Sequence, residues 1–368
     1  MRSKKTSVLR TYFRLGLVLF AVSIISLSGN NLLAQETPIR TNGDVVYASP
    51  PQEPTEVEVG LFLIGLNKIS PPSDAIPTFE AELFMDLRWD DPRLAFDSDK
   101  LGIDRKVYEE QNALAALNET WWPDIEIENE AGKRITENML LIISPNGAVE
   151  YEERFTAVMH ADFDLRKYPF DKQTLEIDLE SFSWDRRYVN LVTSESIIGW
   201  SEDFHTPEWE ITGLETAVTL EKEIRSDTEF VELIFTIHVQ RHSSYYIWRT
   251  FLPLFLIIGV GIMLLWKPAA ERTSNAIFVF LIIVGYHSIS ANSLPKLNHL
   301  TVMDGYFLIG FICAVTIILE SFIVERMTSH ENQVAIATKI DAAMKWLLPT
   351  TVVLAVGALT FSILVLGF

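Results

Sequence analysis

Cysteine is almost missing from this chain. Its 368 residues include one, Cys313, so no disulfide can close within the chain and an exported portion must rely on its own core. Catalytic signatures are missing too. There is no Gly-rich phosphate loop and no serine in a Gly-x-Ser-x-Gly elbow, which argues against an enzyme. Basic residues are scarce where acids are plentiful: residues 36–244 hold 43 Asp and Glu against 18 Lys and Arg. Such a surface repels nucleic acid and gathers cations, so nucleic acid is excluded as a partner. No cofactor is expected, although the clustered carboxylates suit modulation by Ca²⁺.

What is abundant lies elsewhere. Residues 245–368 hold only 6 acids and 7 bases, and carry long apolar runs. Four stretches, 245–266, 273–294, 300–324 and 344–366, are each long enough to cross roughly 30 Å of hydrocarbon at about 1.5 Å per residue. Ahead of them, Arg2, Lys4, Lys5, Arg10 and Arg14 precede an apolar stretch and a small-residue site near Leu33-Ala34-Gln35. That pattern reads as a secretory signal peptide over residues 1–35. Lys267, Arg272, Arg326 and Lys339 put the first–second and third–fourth connections on the cytoplasmic side. Both signals place the acidic half, 36–244, outside the cell or in the periplasm. Pro253 within the first span should kink or loosen that helix. Asp304 and Glu320, near the ends of the third span, are expected to be solvated at the interface. His287 is expected to form an interhelical hydrogen bond or to act through protonation.

The second span carries a stripe. Ser274, Phe278, Leu281, Gly285, Ser288 and Asn292 recur at steps of four and three, which traces one face of an α-helix behind the charged pair Glu271-Arg272. The stripe has small polar residues at its ends and apolar ones in its middle. Such a face in lipid must meet water or another helix.

The acidic half shows short alternating segments instead, near 56–66, 78–89, 140–143, 149–159, 173–179 and 230–240. Leu175, Ile177 and Leu179 alternate with Glu176 and Asp178, and Ser144-Pro145-Asn146-Gly147 reads as a turn. The expected fold is an antiparallel β-sandwich of about ten strands, followed by a four-helix transmembrane bundle. One helix is expected at 107–117, with Leu114 and Leu117 sharing a face.

Several motifs then fall in order. Trp121-Trp122-Pro123-Asp124 resembles a W-x-P-D binding-loop motif, and Tyr168-Pro169-Phe170-Asp171 an aromatic-Pro-Phe-Asp turn. Arg241 precedes the first span, Pro253 lies in it, and Leu294-Pro295-Lys296 follows the second. Together these resemble the bacterial pentameric ligand-gated ion channels, prokaryotic relatives of the Cys-loop receptors, and most closely the amine-gated ones. The resemblance implies a homopentamer in the bacterial inner membrane, opened by a small-molecule agonist bound between subunits and passing monovalent cations. A primary amine, or protons, would be that agonist. It also implies that Glu271, Ser274, Phe278, Leu281, Gly285, Ser288 and Asn292 line the pore. Among these, Leu281 and Phe278 would form the gate, and Glu271 and Ser274 would set selectivity. Glu180, Phe182, Phe230 and Trp121 would meet the ligand. Lys68, Tyr168, Pro169, Phe170, Asp171, Arg241, Pro295 and Lys296 would couple the pocket to the pore. The stretch 221–229 is short and lacks the tyrosine that completes the amine-gated subgroup's aromatic box.

Overall fold

The alternation of apolar and polar residues in the acidic half becomes two packed sheets in the computed structural model. It describes residues 49–69, 77–194, 197–201, 206–222, 228–291, 297 and 299–363. The expected signal peptide, Asn292, Pro295 and Lys296 lie outside these.

Among the described residues eleven strands form the sandwich: β1 Thr55–Ile69, β2 Thr78–Asp90, β3 Lys106–Glu109, β4 Ile125–Ile127, β5 Ile135–Ile143, β6 Ala148–His160, β7 Lys172–Ser181, β8 Val189–Thr193, β9 Gly199–Trp200, β10 Trp209–Lys222 and β11 Glu229–Arg241. One sheet runs β3-β5-β6-β2-β1-β8, with β9 also on β1, and the other runs β10-β11-β7-β4. Strand β6 alternates buried and open positions almost perfectly, and its buried Val149, Tyr151, Phe155, Ala157 and Met159 face the core. The 144–147 turn links β5 to β6. Gly147 sits at φ 91°, a left-handed conformation, and packs so closely on the Asp91 backbone that no side chain fits there.

Helix α1 spans Glu110–Glu119 and buries Ala113 and Leu117. The expected face was wrong by one position. Leu114 is exposed, because residues 113 and 117, four apart, form the packed row, and residues 106–109 are strand instead.

Four membrane-length helices follow among the described residues: α2 over Ser244–Trp266, α3 Ala269–Ala291, α4 Val302–Thr328 and α5 Val334–Phe361. After an α-helical turn, Ser244–Tyr246, helix α2 continues as a π-helical stretch, Ile247–Phe251, just before Pro253. Proline has no N–H, so the Arg249 carbonyl four residues earlier loses its helical donor. The Tyr286 hydroxyl of α3 donates to that carbonyl at 2.6 Å, which satisfies the loosened turn from the neighbouring helix. Helix α4 begins with a capping box between Thr301 and Asp304. The His287 ring nitrogen Nε2 lies 3.2 Å from Asp304 Oδ1, the interhelical contact expected of it.

Glu320 departs from expectation. It is buried, and its Oε2 accepts from Arg272 Nη1 at 2.5 Å. Arg272 also donates through Nη2 to Asp341 of α5 at 2.6 Å and to the carbonyls of Leu265 and Lys267. A charge this deep needs partners, and three helices supply them.

Candidate functional site

The second span divides cleanly into faces. Arg272, Ala276, Val279 and Ile283 are buried against the rest of the bundle. Ser274, Phe278, Leu281, Gly285 and Ser288 fall about 200° away and are exposed, Phe278 at 64% and Leu281 at 55%. The stripe therefore lies opposite the packed face. Ile277, Ile282, Val284 and Ile289 flank it and are also exposed. A side chain placed at Gly285 would meet open space. Glu271 is exposed in the first turn, whereas its neighbour Arg272 is withdrawn into the ion-pair network. Only the acid of that charged pair is left facing outward.

A second candidate surface is the outward side of the four-stranded sheet. Strand β7 carries Asp178 and Glu180 there, and β4 places Glu126 opposite Glu180. Strand β10 pairs Glu221 with Phe230 of β11. The carboxylates of Glu128, Glu180 and Glu221 lie within 4.8 Å of one another. Burial and then its acidic neighbours push the Glu180 carboxyl up to about 7, and the same causes push Glu128 to about 7. Asp178 is raised to about 6 by burial first and Glu232 next. Phe182 stands open at the end of β7, 67% exposed, and Phe230 is half-buried.

Trp121 does not share that surface. It is 2% exposed and packs its ring on Trp89 and Trp184 at 6.2 and 6.0 Å between centroids. A ring that large gains by burial, so within this chain it supports the loop from beneath. Neither Glu128 nor Glu221 was singled out in the sequence. Their convergence depends on the pairing of β4 with β7 and of β10 with β11, which no local pattern shows.

The third site is the junction between the sandwich and the helices. Arg241, at the end of β11, donates through Nε to Asp171 at 2.8 Å and through Nη1 to Glu208 at 2.5 Å. Its guanidinium also lies 4.0 Å above the Trp209 ring. Phe170 stacks on Phe251 of α2 at 5.8 Å, and Tyr168 meets Tyr246 edge-on at 5.2 Å. Pro169 is buried within this turn. The first N–H groups of a helix have no intrahelical acceptor. Here those of Val302 and Met303 donate to the carbonyls of Arg166 and Tyr168 at 3.0 and 3.2 Å. The turn thus caps α4 directly. Leu297 packs against the same cluster, while Lys68 is exposed at the end of β1.

A β-sandwich seated on four apolar helices, one with an exposed polar-ended stripe, invites comparison with known proteins. The sequence profile of the neurotransmitter-gated ion-channel ligand-binding domain matches residues 44–243, more than half the chain. The chain is 28% identical over 321 residues to the proton-gated ion channel of Gloeobacter violaceus, covering 86% of each. It is 25% identical over 279 residues to a gamma-aminobutyric acid receptor subunit beta of Lymnaea stagnalis, covering 73% of this chain and 55% of that one. The chain therefore belongs to the neurotransmitter-gated ion-channel family: it is a membrane-embedded ligand-gated ion channel with an extracellular ligand-binding domain, and not an enzyme. More particularly, it is a pentameric ligand-gated channel of the bacterial type.

Proposed function

We propose that this channel passes monovalent cations across the bacterial inner membrane and is opened by a small organic cation bound between subunits at the acidic face of β4, β7, β10 and β11. The observation that carries the reading is the meeting of Glu128, Glu180 and Glu221 within 4.8 Å beside the exposed Phe182. Crowded carboxylates that cannot all ionise alone are stabilised by an ammonium group, which supplies charge and up to three donors. An adjacent aromatic face adds about 0.5–2 kcal/mol. A primary amine fits this chemistry.

Cation selectivity rests on Glu271. Five copies would ring the cytoplasmic mouth with negative charge next to the Ser274 hydroxyls, and the countercharge of Arg272 is taken up elsewhere. Further along, rings of Phe278 and Leu281 would narrow the path and exclude water, with Gly285, Ser288 and Asn292 beyond them. The sandwich, 36–244, would lie in the periplasm, and the junction at Tyr168, Pro169, Phe170, Asp171 and Arg241 would pass its motion to the pore, joined by Lys68, Pro295 and Lys296.

Gating by protons is the second reading. It is favoured by the same carboxyls, raised to about 7, and by the name of the Gloeobacter relative. One experiment separates them: currents from the purified protein in planar bilayers under a KCl gradient, with primary amines, carboxylates and external pH varied in turn. An amine-evoked current reversing near the K⁺ potential is expected. Current evoked by acid alone selects protons, and reversal near the Cl⁻ potential overturns the cation pore.

A further inference from the structure

Away from the ligand face, strands β2 and β6 bring a separate set of charges together. Asp86 is paired with Glu152 across the two strands, and Arg88 with Glu150. Alternation puts all four side chains on the surface of the seven-stranded sheet that faces away from the core, since Met85, Leu87 and Tyr151 take the other side. The carboxylates of Asp86, Glu150 and Glu152 lie within 4.8 Å of one another.

Asp86 makes this more than a patch of surface acid. It is 2% exposed, although it lies on the outward side of the sheet. Its neighbour in β1 is Gly60, and Ile197 packs where a Gly60 side chain would stand. Asp86 Oδ2 accepts from Arg88 Nη2 at 2.9 Å, but its buried Oδ1 has no hydrogen-bond partner among the described residues. Glu150 spends one oxygen on the same guanidinium, through Nε at 3.0 Å and Nη2 at 2.6 Å. No donor among the described residues is bonded to Glu152. Three carboxylates and one guanidinium leave two negative charges and several free oxygens. A buried acceptor without a donor is costly unless a ligand supplies the missing positive charge.

We propose that Asp86, Glu150 and Glu152 form a divalent cation site, and that Ca²⁺ is the ion it takes. The charge left over after Arg88 equals that of one divalent ion. Ca²⁺ binds oxygens at about 2.3–2.6 Å, so oxygens on opposite sides of the ion stand roughly 4.6–5.2 Å apart. The carboxylate oxygens here all lie within 4.8 Å of one another, close enough to share one ion. No histidine or cysteine is in the cluster, which disfavours zinc, and the irregular donor set suits Ca²⁺ better than octahedral Mg²⁺. A cleft of about 530 Å³ opens beside the cluster, lined by Glu56, Glu58, Arg88, Asp90 and Glu150, and gives room for the water ligands that three carboxylates leave to be filled. The site is independent of the agonist reading, since it shares no residue with the outer-sheet face.

The test is calorimetric titration of CaCl₂ into the full-length oligomer, purified in detergent and stripped with chelator, at about pH 7.5. Wild type is expected to bind Ca²⁺ more tightly than Mg²⁺. Glu152→Gln, which breaks no hydrogen bond, is expected to elute as the same oligomer and to lose one Ca²⁺ per chain or weaken it about tenfold or more. Should that variant fail to assemble, Glu150→Gln carries the same expectation. Wild type that binds no Ca²⁺, or a variant with unchanged stoichiometry and affinity, overturns the site.

Discussion

Arg272 and Glu320 face each other between the second and third spans with Nη1 and Oε2 2.5 Å apart and side chains 1% and 4% exposed. The pair lies where the sequence puts a helix end and a cytoplasmic loop, and it joins α3 to α4 and, through Asp341, to α5. An interior ion pair of this kind is held at a desolvation cost, so its loss is felt from one side only.

Glu320→Ala is expected to destabilise the oligomer by up to about 3–5 kcal/mol, because Arg272 would lose its more buried carboxylate and keep only Asp341. The double change Arg272→Met with Glu320→Leu should recover most of that loss, since Asp341 retains Lys345 at 2.7 Å. Thermal loss of the oligomer peak in size-exclusion chromatography measures both. Equal damage in single and double variants would show that the pair is not what holds these helices.

Arg241 is the second anchor. Its fork serves Asp171 and Glu208 at once, and a lysine keeps the charge but not the fork. Arg241→Lys should assemble yet give much smaller currents at saturating stimulus. Currents equal to wild type, measured at matched protein density, would remove Arg241 from the coupling path.

Leu281→Ala should shift the closed–open equilibrium toward open. About 0.3 kcal/mol per subunit across five subunits is enough for roughly a tenfold change. Single-channel open probability without agonist reads it directly. An unchanged value would exclude Leu281 from the gate and leave Phe278 as the candidate.

The outer sheet makes a prediction about pH. Glu128 and Glu180 are raised to about 7 from the ordinary carboxylate value of 4.5. The folded protein therefore binds more protons than the unfolded chain between those values, and stability must fall as pH rises through them. Glu180→Gln removes one such group, so its melting temperature should decline less than that of wild type from about pH 5 to about pH 8. Parallel slopes would mean the carboxyls are not crowded as described.

Much of the molecule is written in local pattern. Alternation marked six of the strands because each has one face in a core, and four apolar runs marked the spans because hydrocarbon tolerates little else. The steps of four and three from Ser274 to Ser288 named a face that indeed lies opposite the packed one. Other features depended on partners distant in the chain. The burial of Trp121 is not legible locally, since Trp89 and Trp184 enclose it from distant parts of the chain. Glu320 reads as solvated until Arg272 reaches it from 48 residues away. The two carboxylate clusters arise only because strand register sets Glu126 against Glu180, Glu221 against Phe230 and Asp86 against Glu152. Composition alone determined that this chain is acidic outside and apolar within the membrane, since both follow from transfer free energies of single residues. Which acids meet, and which charge of the Glu271-Arg272 pair is left exposed, was decided by the tertiary structure, because electrostatic energy depends on distance and burial and not on sequence order.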